Sequence, residues 1–267
     1  SSSIKSILAL PNYRKQLNEE HFVRKLTLWT DDTYSTPGTF YKNINTLPTA
    51  HSITVRNKAV AIKKYWEPLN IPIRYYKNKQ DYAEEMSGLF QLALQSRLRS
   101  SRPVASMLSG GLDSSTVSYV AADILKTQNK LLTTFSHVPQ FDRELLHDKH
   151  KEKNILNETP FIKAVVNASG NINPLLLNSA DYSIIQGIKD SVSICSEPLH
   201  AACNLFWLND IYRTVSQKGF GALLCGEGGN GSISFAGIDY LQPLSFRSLI
   251  RHPYSFFRRQ IAKPLAL

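Results

Sequence analysis

Along the first 66 residues the spacing of apolar positions changes character once. In "EEHFVRKLTLW" (19–29), Phe22, Leu26 and Trp29 recur at helical spacing, which predicts a helix. In "STPGTFYKNINTLPTAHSITVRNKAVAIKKYW" (35–66) the pattern alternates instead. Ile53 and Val55 precede the turn Arg56-Asn57-Lys58, and Val60, Ile62 and Tyr65 follow it, as in a β-hairpin. "EPLNIP" (67–72), with two prolines, reads as a linker. Beyond it, "KQDYAEEMSGLFQLALQSRLRS" (79–100) places Met86, Leu89, Phe90, Ala93, Leu94 and Leu98 on one side of a helix. Short apolar strands then alternate with helical stretches. The strands are "PVASML" (103–108), "LLTTFS" (131–136), "PLLL" (174–177) and "GALLC" (221–225), and helices are expected near 114–126, 160–168, 181–193 and 201–217. That alternation predicts an α/β fold, a parallel sheet flanked by helices.

Composition narrows the classes. The 267 residues are 42% hydrophobic, enough to bury a substantial core in one or two domains. No run approaches the roughly 18 apolar residues of a membrane span. The apolar patch in residues 1–20 is short and ends at Pro11, unlike a secretory signal. A cytoplasmic protein is expected. Cys195, Cys203 and Cys225 form neither a CxxC pair nor a zinc spacing, which suits a reducing compartment. The net charge of +10 favours a polyanionic partner, nucleotide or nucleic acid, and equally fits a lysine-rich solvated surface. "FDRELLHDKHKEKNILNE" (141–158) carries His147 and His150 among carboxylates and reads as a solvated loop, with a lid or a metal pair as alternatives. The basic, aromatic tail "RSLIRHPYSFFRRQIAKPLAL" (247–267) fits either nucleic acid or a packed helix.

The chemistry concentrates in "SGGLDSS" (109–115), between a predicted strand and a predicted helix. A strand entering a helix through glycines gathers backbone N–H groups and the positive end of the helix dipole at one point, an anion site. Gly110 and Gly111 let phosphate oxygens approach the main chain, and Ser109, Ser114 and Ser115 add hydroxyls. Asp113 would repel a phosphate unless Mg²⁺ bridged the two, so the turn predicts a Mg²⁺–polyphosphate ligand. The Walker pattern is excluded, because no Gly-Lys pair occurs in the chain. "GEGGNG" (226–231) fits GxGxxG but has no strand-end acid about 20 residues on, Asp239 being too close, which argues against a dinucleotide oxidoreductase.

In this context SGGLDSS resembles the pyrophosphate loop of ATP pyrophosphatases. "GALLCGEGGNG" (221–231) is similar to the second nucleotide motif of the asparagine synthetase family, usually SGEGADE. "TFYKNINTLPTAHSITV…YW" (39–66) resembles the end of that family's N-terminal glutaminase domain. The resemblance implies an adenine nucleotide alpha-hydrolase-like sheet over residues 68–267, preceded over 1–67 by the remnant of a glutaminase-type β domain and a linker. It implies ATP and Mg²⁺ as cofactors. The nucleotide would meet Met107, Leu108, Ser109, Gly110, Gly111, Leu112, Asp113, Ser114, Ser115, Ser136, Cys225 and Gly226. His137 lies beside Ser136, and Glu197 in "SEPLHAACNLFW" is a further acidic candidate. Glu227 would be the general base, and Asp113 with Asn230 the metal ligands, although Asn230 stands where the family has Asp and Gly231 where it has Glu.

The implied reaction is activation of a small carboxylate as an acyl-adenylate with release of pyrophosphate, then amidation by ammonia or an amine. The family's glutaminase uses an N-terminal cysteine, whereas this chain begins Ser1-Ser2-Ser3, so ammonia is expected from elsewhere, a glutaminase domain or a partner chain. The synthetase domain is expected to be C-terminally incomplete. A catalytically impaired nucleotide-binding relative and a tRNA-modifying enzyme with the same pyrophosphate loop remain alternatives.

Overall fold

The computed structural model describes residues 1–27, 38–67, 70–141, 157–199, 201–229 and 233–234. His147, His150, Asn230, Gly231, Asp239 and the tail 247–267 lie outside them. The chain forms two compact units, one of residues 1–75 with 181–209, the other of 76–180 with 210–267.

The first unit holds helices α1 (Ile4–Leu8) and α2 (Glu19–Thr27), strands β1 (His51–Arg56) and β2 (Ala59–Lys64), and helix α6 (Ile184–Cys195). The hairpin forms where alternation predicts it, closing through Asn57 and Lys58, both with positive φ (49° and 65°). Two left-handed central residues are what a turn needs to match strand twist. Segments distant in sequence meet here. The Phe40 N–H donates to Glu197 Oε1 at 2.7 Å, and the Tyr41 hydroxyl to the Ser196 carbonyl at 2.9 Å. Glu197 is thus engaged by a main-chain group inside this unit.

The second unit is the α/β body. Helix α3 (Lys79–Arg97) leads to β3 (Val104–Met107), α4 (Leu112–Lys126), β4 (Leu132–His137), α5 (Thr159–Ser169) and β5 (Ile172–Leu177). Helix α7 (Leu205–Gln217), which enters this unit at Asp210, then precedes β6 (Ala222–Leu224). The four strands pair in parallel in the order β5-β4-β3-β6, as the alternation of elements predicts. Pro174, which lacks an N–H, sits in the edge strand β5, where that loss is tolerated.

Alternate strand positions divide between the two faces. On one, Val104, Leu132, Ile172 and Leu224 form a core with Leu94 of α3 and Ala121, Ala122 and Leu125 of α4. The α4 residues nearest the turn on this side are small and polar. Ser118 Oγ pairs with Ser106 Oγ of β3 at 2.9 Å, both fully buried. Small residues at 114, 118, 121 and 122 let the helix lie close on the sheet. On the other face, Phe220 packs edge-on against Phe135 at 5.6 Å between ring centroids. Phe135 is fully buried, and a large side chain so placed contributes about 1.5–3 kcal/mol.

The face predicted for α3 is too wide. Phe90, Leu94 and Leu98, four residues apart, meet the core, whereas Met86 and Leu89 are 41% and 56% exposed. One i, i+4 row suffices to cover the edge of so small a sheet, and the flanking apolar positions remain in solvent.

Candidate nucleotide-binding site

Beyond Met107 the chain turns through residues 108–111 and enters α4. The Leu108 side chain is buried; its N–H donates to the Phe135 carbonyl at 3.0 Å, and its carbonyl accepts the Ser136 hydroxyl. Ser136, itself buried, therefore braces the root of the turn. Gly110 has φ +80°, and a Cβ there would lie 2.6 Å from Phe161 Cβ and 3.1 Å from the Ile162 nitrogen. The first turn of α5 packs directly against it, so no side chain fits. Gly111 caps α4 without a side chain, and serines bind the turn instead. Ser109 and Ser114 hydroxyls pair at 2.8 Å, Ser114 Oγ accepts the Ser109 N–H at 3.1 Å, and Ser109 Oγ accepts the Gly111 N–H at 3.3 Å.

The residues present fit a phosphate. The first N–H groups of α4 have no intrahelical acceptor and, with the positive end of the dipole, suit an anion at the helix start. The Ser115 hydroxyl is buried and has no hydrogen-bond partner among the described residues. Asp113 stands in the first turn of α4, and Leu112 is 75% exposed beside it. No group of three or more potential metal ligands occurs among the described residues. A Mg²⁺ ion here would share Asp113 with phosphate oxygens, the coordination this ion favours.

The second glycine stretch meets the first. Strand β6 lies beside β3, and its end runs into Cys225, Gly226 and Glu227, of which Cys225 and Glu227 are exposed. A Cβ on Gly226 would lie 2.6 Å from the Ser114 nitrogen and 2.9 Å from the Asp113 carbonyl carbon. A Cβ on Gly229 would lie 2.3–2.6 Å from the carboxyl atoms of Asp113. The two turns are thus in van der Waals contact. The order β5-β4-β3-β6 explains why: from β3 the chain winds outward through β4 and β5, then returns to place β6 on the other side of β3. Ligands of open parallel sheets bind outside the carboxyl ends of the strands, at such a reversal.

Of the other groups here, Tyr212, Ser179 and Asp210 carry no signal in the sequence, whereas His137 stands beside the candidate Ser136. Burial pushes the Tyr212 phenol above its ordinary pKa, and the neighbouring Cys225 and Glu227 add to the shift. Ser179 Oγ donates to Asp210 Oδ2 at 2.8 Å. Burial holds the His137 imidazole below its usual range, opposed by a bond to the Asn178 backbone and by the Asp210 carboxylate. An unfolded chain therefore takes up a proton at His137 more readily than the folded one. Its contribution to stability is complete above the ordinary value of 6.5 and is lost as pH falls from there through the lowered folded-state value. Urea unfolding between about pH 5 and 7 should show this acid-side loss in the wild type and less of it in His137→Gln. Parallel profiles would contradict the assignment.

The family model described as asparagine synthase matches residues 85–266, about two thirds of the chain. The chain belongs to the asparagine synthase family. The match covers the α/β body and both glycine turns, and the family expected from the motifs is the family found. Among curated relatives, the glutamine-hydrolysing asparagine synthetase 3 of Bacillus subtilis is 32% identical over 138 residues, 51% of this chain and 22% of that protein. A putative glutamine-hydrolysing asparagine synthetase 2 of Methanocaldococcus jannaschii is 33% identical over 171 residues, 62% of this chain and 29% of its own. An amidase of Penicillium rubens is 26% identical over 205 residues, 75% of this chain and 30% of its own. The chain therefore spans less than a third of the length of each. Among the described residues no helix is long and apolar enough to cross a membrane.

Proposed function

We propose that the 109–115 turn and the 225–229 loop together bind MgATP, and that the chain is the ATP-using part of an amide-forming ligase. The observation that carries this reading is the contact of two glycine turns at the reversal of strand order, inside a match to the asparagine synthase family. In the proposed reaction a carboxylate oxygen attacks the α-phosphorus of ATP and the bond to pyrophosphate breaks. Ammonia or an amine then adds to the acyl carbon and AMP leaves. The amides at the start of α4 and the Ser115 hydroxyl hold the departing pyrophosphate, a matter of positioning and electrostatic stabilisation. Mg²⁺, when bound, neutralises charge on the phosphates. Asp113 would hold it, with Asn230 as an uncharged second ligand. Glu227 accepts the proton released by the attacking nitrogen. The names of two relatives point to aspartate as the carboxylate and to glutamine-derived ammonia as the nitrogen source, delivered by a glutaminase domain or partner.

Asn230 in place of an acid favours a second reading, nucleotide binding without turnover. Pyrophosphate release from MgATP, with ammonium and a panel of carboxylates headed by aspartate, separates the two. The proposal expects AMP and pyrophosphate in equal amounts, dependent on one carboxylate. Binding without release supports the second reading, and production of ADP with orthophosphate overturns both.

A further inference from the structure

We infer that the amino-terminal edge of the parallel sheet, the edge away from the glycine turns, is a docking surface for the sugar–phosphate backbone of a nucleic-acid duplex. Binding there is independent of whether the opposite edge takes MgATP.

Because the four strands are parallel, each is entered at one edge of the sheet and left at the other. The stretches that enter β4, β3 and β6 lie side by side in that order, along about 10 Å of edge at the usual strand spacing. They carry Arg97, Arg99, Arg102, Lys126, Lys130 and Lys218, all exposed. Residues 97–103, 126–131 and 217–221 contain no Asp or Glu, and neither do residues 169–171 before β5. The nearest acid in sequence is Asp123, one turn before Lys126 on α4. Among the described residues none of the six cations is in an ion pair.

These stretches are held against one another. A Cβ on Gly221 would lie 2.7 Å from Ser100 Oγ and 2.8 Å from Arg102 Cβ, and the Gly221 N–H donates to the Pro103 carbonyl at 2.9 Å. The Asn171 side-chain amide donates to the carbonyls of Lys130 and Ala122 at 2.9 and 2.8 Å. Part of the charge has an ordinary structural task. Arg97 and Lys126 stand in the last turns of α3 and α4, and Lys218 just follows α7, where cations offset the helix dipole. Arg99, Arg102 and Lys130 stand in loops and answer no such group. That excess carries the inference.

The chemistry of the loops selects the partner. Arg99-Ser100-Ser101-Arg102 and Lys126-Thr127-Gln128-Asn129-Lys130 consist wholly of the side-chain types that meet phosphate oxygens. No exposed aromatic side chain stands among them for unpaired bases to stack on, since Phe220 packs against Phe135. An acidic protein would want buried aromatic or aliphatic anchors, and Leu131 alone, 57% exposed, offers one. A duplex backbone needs neither.

Fluorescence anisotropy tests this with short labelled duplexes of RNA and of DNA, each in two unrelated sequences, from about 50 to 200 mM KCl. Log Kd should rise with log salt at a slope of about 3–5, as for three to six phosphates neutralised at about 0.9 each, whatever the sequence. Replacing Arg99, Arg102 and Lys130 together by Gln should lower that slope by about 3 and weaken binding at low salt at least about tenfold. The control replaces Arg56, Lys58 and Lys63 of the hairpin by Gln, removing the same charge elsewhere. It should keep both slope and affinity. Melting temperature should be unchanged in both variants, because every substituted side chain is exposed. Preference for one duplex type names which backbone the surface meets. Salt-insensitive or unsaturable binding, or equal weakening in the two variants, overturns the docking surface. Tighter binding of poly-glutamate or anionic vesicles than of either duplex overturns the choice of partner.

Discussion

Asp113→Ala should lower kcat/KM for ATP-dependent pyrophosphate release by two orders of magnitude or more, on the order of the several kcal/mol that metal-mediated charge stabilisation supplies. The residue occupies the first turn of α4, where the dipole and the free amides already favour an anion. A carboxylate has no use there toward a bare phosphate, which it repels. The substitution should therefore act with opposite sign in the two forms of the ligand. It weakens binding of MgATP and leaves binding of metal-free ATP unchanged or tighter. Loss of affinity for both forms alike would mean that Asp113 shapes the turn rather than meeting a cation.

Gly226→Ala is the second large effect. The new Cβ would fall 2.6 Å from a main-chain nitrogen, which cannot swing aside as a flexible side chain can. Either the loop or the start of α4 must retreat. Overpacking of this kind costs about 1–3 kcal/mol, which corresponds to about one to two orders of magnitude in Kd if the cost falls on the bound state. The Ser114 N–H belongs to the first turn of α4, so the retreat disturbs the helix start proposed to meet the phosphates. Gly170→Ala is the control. Gly170 has positive φ (62°), ends α5 and has nothing within 4 Å of its would-be Cβ. That variant should lose stability with MgATP affinity intact. Equal affinity in Gly226→Ala and Gly170→Ala would separate the two turns functionally.

Much of the α/β body was legible because its signals are local. Strands of three to six residues in short apolar runs, such as β4, and helices with apolar rows announce themselves within one window of sequence. The hairpin turn announced itself through Asn57. What sequence could not supply is what depends on long-range packing. Two glycine stretches more than a hundred residues apart meet only because β6 returns beside β3. Residues 181–209 join the first 75 through contacts such as Glu197 with Phe40, which no linear pattern encodes. Tyr212 and Asp210 reach the sheet edge because α7 is rotated to bury Ile211 and Val215, and a helical period gives the row without giving its partner. Ser136 shows a subtler limit. The family resemblance made it a nucleotide contact, and the structure gives its hydroxyl a main-chain acceptor at Leu108.

Hydrogen–deuterium exchange with and without MgATP tests the shared site most directly. The account predicts that amides of residues 109–115 and 225–229 gain protection together, at the same nucleotide concentration, and that EDTA abolishes both. Protection of the first turn alone, or protection of the two at different concentrations, would contradict the claim that they form a single nucleotide site.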